Sequence, residues 1–177
     1  MDFDFTYENG IAKIHDGSIP MHKSFTLSFD VSEYSLQEQK KLFIGKINDK
    51  GYVSYVNTKR KENKLYTLSK KLGNYKLATD TTKPTISTIN FKDKQNVKNL
   101  KKLHVEIKDD GSGIDKYRAT IDGKWILMEY EYKKNRLSYD LSDLKPSTSK
   151  TKEYTLKIVV SDEVGNTNTH ITTFYKK

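Results

Sequence analysis

Histidine and the side-chain carboxylates carry most of the chemistry available to this sequence, and their spacing limits what that chemistry can be. The imidazoles are His15, His22, His104 and His170, and imidazole is the usual nitrogen ligand of zinc. None has a second His two or four residues away, and only His15 has an acidic neighbour, Asp16. The chain has no Cys, which excludes thiol chemistry, disulfides and Cys-based zinc sites. A Gly-rich phosphate loop, a nucleophile elbow and an HExxH helix are also absent. No catalytic residue is assigned, and no cofactor is required.

The carboxylates become informative once they are placed on strands. Leu103, Val105 and Ile107 alternate with His104 and Glu106, as a half-buried strand requires. Tyr117, Ala119 and Ile121 mark the next strand, and Tyr154–Ser161 a later one. If these run up, down and up, the loops Asp109–Asp115 and Asp162–Asn166 share one end of a sandwich. A preceding strand antiparallel to Leu103–Lys108 would start at that end and bring Asp80 with it. Asp80, Asp109, Asp110, Asp162 and Asn166 could then offer hard oxygen ligands to calcium at the domain junction. The competing reading is that Asp, Asn and Gly simply make turns, with Lys83 and Lys116 offsetting the charge. Tyr130, Tyr132 and Tyr139 lie close enough across one hairpin to form a stacking platform for sugars or bases. Their competing role is to cover the edges of a core.

The positioning elements are all strands. Tyr154, Leu156, Ile158 and Val160 alternate with Thr155, Lys157, Val159 and Ser161; Asp162–Asn166 then reverses the chain and Thr167–Tyr175 returns. A closing hairpin of this kind points to an immunoglobulin-like sandwich. In the first half Asn9-Gly10 is a hairpin turn, Phe3 and Phe5 precede it, and Phe25, Leu27 and Phe29 alternate in a third strand. Ser35 and Glu38 have capping-box spacing for one helical turn. Hairpins follow at Lys41–Val56 and around Leu72-Gly73-Asn74, about seven short strands in all. Thr79–Pro84 is polar and ends in a Pro that extends its predecessor, so the boundary divides residues 1–80 from residues 81–177. In the second module Asp122-Gly123 is a turn, Trp125 is expected to fill the core and to lead the strand Ile126–Tyr132, and Lys145–Thr151 is a polar loop. The fold class is all-β, two consecutive sandwiches with the second immunoglobulin-like.

Only 34% of residues are hydrophobic, but 11% are aromatic, twelve of them Tyr, a balance suited to thin sandwich layers rather than to disorder. The net charge is +9. Its Lys residues are scattered, with short clusters only at Lys98–Lys102 and Lys133–Arg136, so they read as solvated faces and edge protection, without specific nucleic-acid binding. No apolar run reaches the roughly 18 residues of a membrane span. MDFDFTYENG opens directly on strand-like alternation, which suggests a piece of a longer chain with any export signal upstream.

Four segments are familiar in combination: His15–Ser24 (HDGSIPMHKS), Leu72–Pro84 (LGNYKLATDTTKP), Ile121–Trp125 (IDGKW) and Val160–Asn166 (VSDEVGN). Together they resemble the region C-terminal to the catalytic domain in lysostaphin-type zinc metallopeptidases of Bacteroidetes-like bacteria. That family's zinc site uses HxxxD and HxH. Here the fourth residue after His15 is Ile19, after His22 Thr26 and after His104 Lys108, and no His lies two after another, so no catalytic role carries over. The resemblance implies a non-catalytic tail of an exported peptidase outside the cytoplasm, whose partners are its own upstream catalytic domain and cell-wall glycan or protein. The alternative is a free-standing extracellular binding or adhesion module that recognises glycan or protein through sandwich-end loops.

Overall fold

A computed structural model describes residues 4–146 and 152–176; Phe3 and residues 147–151 of the expected polar loop lie outside the described residues. The chain divides into two units, Met1–Thr81 and Thr82–Lys177. The first contains β1 (Phe5–Glu8), β2 (Ile11–Ile14), β3 (Pro20–Asp30), α1 (Leu36–Gln39), β4 (Leu42–Ile47), β5 (Val53–Tyr55), β6 (Lys59–Lys61), β7 (Lys64–Lys71) and β8 (Gly73–Thr79). Positive φ at Asn9 (50°) and Gly10 (76°) gives the β1–β2 turn the twist that antiparallel strands need. The helical turn closes with its capping box: Glu38 N–H donates to Ser35 Oγ at 3.3 Å, and Ser35 N–H donates to Glu38 Oε2 at 2.8 Å. Strand β6 is absent from the sequence reading because Lys-Arg-Lys offers no apolar alternation. Arg60 holds it in place by donating to the carbonyls of Gln39 and Leu42.

Two sheets, β1-β2-β8-β4-β5 and β3-β7-β6, enclose a core of Ile14, Leu27, Phe29, Ile44, Leu65, Leu72 and Tyr75. Asp80 comes at the end of this unit. It is buried, and its N–H donates to the Lys41 carbonyl at 2.9 Å.

The second unit contains β9 (Thr85–Thr88), β10 (Gln95–Asn96), β11 (Lys102–Lys108), β12 (Ile114–Ile121), β13 (Lys124–Ile126), β14 (Glu129–Glu131), β15 (Arg136–Asp140), β16 (Glu153–Asp162) and β17 (Thr167–Tyr175). Its sheets are β10-β17-β16-β12-β13 and β14-β15-β11-β9, the architecture of an immunoglobulin-like sandwich. Leu103, Val105 and Ile107 of β11 face Leu156, Ile158 and Val160 of β16 in one core, and each such side chain contributes about 1.5–3 kcal/mol by leaving water. The short β10 pairs in parallel with β17. Backbone bonds from Lys94 N–H to Thr173 O and from Val97 N–H to Tyr175 O, each 2.8 Å, flank it. The Asp93 carboxylate accepts from the Thr173 N–H at 2.8 Å.

The expected strand Ile126–Tyr132 is in fact two. Strand β13 belongs to one sheet and β14 to the other, Tyr132 begins a 3-10 turn (Tyr132–Lys134), and the chain changes sheets at Leu127-Met128. This overturns the expected role of Trp125. Pairing sets Ala119 opposite Ile126 and Thr120 opposite Trp125; Ala119 points into the core, so the alternation turns Trp125 outward. Trp125 is 60% exposed, and Met128, at 1%, occupies the interior instead. None of the described helices is long and apolar enough to cross a membrane.

Candidate functional site

Three groups of polar or aromatic side chains in the second unit could act. At one end of the sandwich, β11 leads into the loop at Asp109 and β16 into the loop at Asp162. Carboxylate oxygens of Asp109 and Asp162 lie within 4.8 Å of each other. Asp109 Oδ2 accepts from the N–H groups of Gly111 (3.1 Å) and Gly113 (2.8 Å), and φ of 91° at Gly113 lets the loop close around it. Asp162, 1% exposed, accepts at Oδ1 from the N–H groups of Val164 (3.1 Å) and Asn166 (2.7 Å). Its Oδ2 accepts from Asn166 Nδ2 at 2.6 Å. Glu163 N–H donates to the Gly113 carbonyl at 3.1 Å, joining the two loops. Asp110 points away: its carboxylate is exposed and pairs with Lys108 Nζ at 2.8 Å, a contact that raises the lysine pKa through the hydrogen bond and the attraction of opposite charges. Lys116 pairs with its neighbour Asp115 at 3.4 Å.

The tyrosines divide. Tyr130 meets Tyr132 edge-on at 6.3 Å and Tyr117 at 5.8 Å, and Tyr117 Oη donates to the Met128 carbonyl at 2.8 Å. Tyr139 does not join an exposed platform. The pleat of β15 turns Leu137 and Tyr139 into the core, where Tyr139 is 4% exposed. Tyr132 is well exposed, so the pair Tyr130–Tyr132 is the part of the expected platform that solvent reaches.

A third group escaped the sequence reading. His104 Nδ1 and Ser138 Oγ are 2.9 Å apart, directly paired across β11 and β15. Burial lowers the His104 pKa, and the nearby cations Arg136 and Lys102 lower it further. A nucleophile and base can share such a hydrogen bond, but the base then needs a third group to orient it. Glu129 pairs with Ser138 on the side away from His104, and neither residue lines the cleft beside His15 or the cavity beside Trp125. The arrangement is that of a cross-strand hydrogen bond on a flat sheet face. A separation of 34 residues hides it from any local motif. In the first unit, His15 Nδ1 lies 3.7 Å from the exposed Asp4 carboxylate, beside an open cleft of about 1240 Å3 also lined by Lys46 and Asp49.

Residues 4–80 match the Zu5-like domain family. No curated protein matches the chain. Among solved structures, the chain is similar to an endo-beta-1,4-mannanase from Thermotoga petrophila, with a TM-score of 0.44, 15% identity, and coverage of 55% of this chain and 20% of the mannanase. It is also similar to the fibronectin(III)-like modules of Clostridium thermocellum CbhA, with a TM-score of 0.42, 10% identity, and coverage of 94% of this chain and 84% of that one. The chain thus spans about a fifth of the mannanase.

Proposed function

We propose that this chain is a non-catalytic accessory region whose two β-sandwich modules bind a surface or polymer outside the cytoplasm and hold a partner domain against it. The observation that carries this reading is the placement of large apolar side chains in the second unit. Its core is filled without Trp125, Leu127, Tyr132 and Ile171, which all stand in solvent. Of these, an exposed indole and an exposed phenol are the side chains that most often anchor recognition surfaces. Co-sedimentation of the purified chain with insoluble cell-wall polymer tests the reading, and failure to sediment with glycan or envelope protein ends it.

The finer identification, attachment to a lysostaphin-type peptidase, rests on the sequence resemblance. It is tested by the reading frame upstream of Met1, where HxxxD and HxH segments would support it and a different domain would remove it. Zinc-dependent cleavage of peptidoglycan by this chain alone would overturn the non-catalytic assignment. A second reading concerns calcium. Two carboxylates from different loops, one buried and one half-buried, stand within 4.8 Å, and like charges at that separation gain from an intervening cation. Melting in calcium against EDTA tests it, because an ion bound only by the folded state raises the melting temperature.

A further inference from the structure

The outer face of the sheet containing β13, β12, β16 and β17 holds binding groups that nothing in the fold uses. Thr120 is paired with Trp125 on one side and Lys157 on the other, and Lys157 is paired with Ile171. The four residues therefore form one row across four strands. Arg118, two residues before Thr120, emerges on the same face about 7 Å along the strand. Trp125 and Ile171 are each 60% exposed, and Arg118 and Lys157 are exposed beside them. Lys102, Lys108, Lys116, Lys134 and Arg136 of this unit have carboxylate partners, whereas, among the described residues, Lys98, Lys124 and Lys133, off this row, do not. Among the described residues Arg118 and Lys157 make no ion pair.

We propose that this row binds an acidic polysaccharide built of carboxylate-bearing sugar rings. The apolar face of one ring lies on the Trp125 indole, and the ring carboxylate pairs with Arg118 or Lys157. The guanidinium fork matches a carboxylate with two parallel hydrogen bonds, and the Thr120 hydroxyl stands between indole and cations to meet a sugar hydroxyl. A neutral sugar would leave both cations unused. A second copy of the chain docked face to face would set cation against cation. A nucleic-acid strand would require further aromatic side chains for successive bases, and this row has one.

The proposal rests on the binding-module reading and names its ligand class and site. The test uses the whole chain, whose single Trp makes its fluorescence a direct reporter of the platform. Galacturonate oligosaccharides should shift and quench the emission, matching neutral galactose oligosaccharides should bind at least about tenfold more weakly, and added salt should weaken the acidic ligand. By calorimetry, Trp125→Ala and the double variant Arg118→Gln/Lys157→Gln should each lose about tenfold in affinity, with melting temperatures close to the parent because these side chains lie outside the core. Equal binding of neutral and acidic oligosaccharides overturns the proposal, as does equal Trp125-dependent binding of anionic phospholipid vesicles or single-stranded DNA. Undiminished galacturonate binding by Trp125→Ala refutes this site and leaves the accessory-module reading standing. Failure of the parent to bind any glycan, envelope protein or wall polymer refutes both.

Discussion

Replacing Asp162 tests whether the end loops of the second unit are held by carboxylate anchors. Asp162→Ala, studied in EDTA so that no divalent cation contributes, strips the acceptor from three donors: the N–H groups of Val164 and Asn166 and the Asn166 side-chain amide. A hydrogen bond to a charged acceptor is worth roughly 1.5–3 kcal/mol, and donors left buried without partners cost more. Removing a carboxylate that stands within 4.8 Å of Asp109 relieves some repulsion. The expected net loss is about 3–4 kcal/mol, which for a domain of about 100 residues lowers the melting temperature by roughly 12–25 °C. Asp162→Asn keeps an oxygen for the two backbone donors and sets a second amide against Asn166, so it should lose only about 1–2 kcal/mol. Equilibrium urea unfolding followed by the fluorescence of Trp125 reads the second unit alone, since no other Trp is present. Two variants as stable as the parent, or Asn as damaging as Ala, would refute the account of these bonds as anchors.

Calcium in the millimolar range is expected to raise the melting temperature of the second unit. Asp109→Asn should abolish the rise, and Asp110→Asn, whose carboxylate faces Lys108 instead, should preserve it; an unchanged melt in calcium would leave both loops as turn formers. His104 should titrate by NMR below its ordinary value of 6.5, because burial and then Arg136 and Lys102 depress it. With the folded pKa below the unfolded one, the stability tied to neutral His104 is complete above about pH 6.5 and is lost as pH falls through the unfolded and then the folded value. His104→Gln should remove that component, and an unchanged pH profile in the variant would deny it.

Local chemistry made several elements legible. Asn9-Gly10 and Asp122-Gly123 announce turns, and both pairs take positive φ at each residue; Ser35 and Glu38 announce their cap. The alternation of Tyr154–Val160 fixes which side chains of β16 enter the core. Around Trp125 that logic failed for a physical reason. Trp125, Ile126, Leu127 and Met128 are four apolar residues in succession, so no alternation says which faces inward, and the chain changes sheets within them. Tyr139 shows the opposite error, since proximity along a hairpin does not reveal the side of the pleat. The His104–Ser138 contact and the strands β6 and β10 depend on pairing between distant or polar segments, which carry no local periodicity.

The parallel patch between β10 and β17 has a consequence for a module that works under tension. If the second unit is pulled by its two ends, β9 takes the N-terminal load first; once it parts from β11, β10 is drawn toward its N-terminal side and β17 toward its C-terminal side. Because the strands run in the same direction, the load crosses their hydrogen bonds as shear, and the bonds must break together rather than one after another. The Asp93 carboxylate, bound to the N–H and hydroxyl of Thr173, adds a rivet at the loaded end. Stretching single molecules of the chain should therefore give a lower rupture force for the second unit in Asp93→Ala, and an unchanged force would place the mechanical barrier elsewhere. A sandwich built this way can be only modestly stable at rest and still resist being drawn out between an anchored polymer and a moving partner.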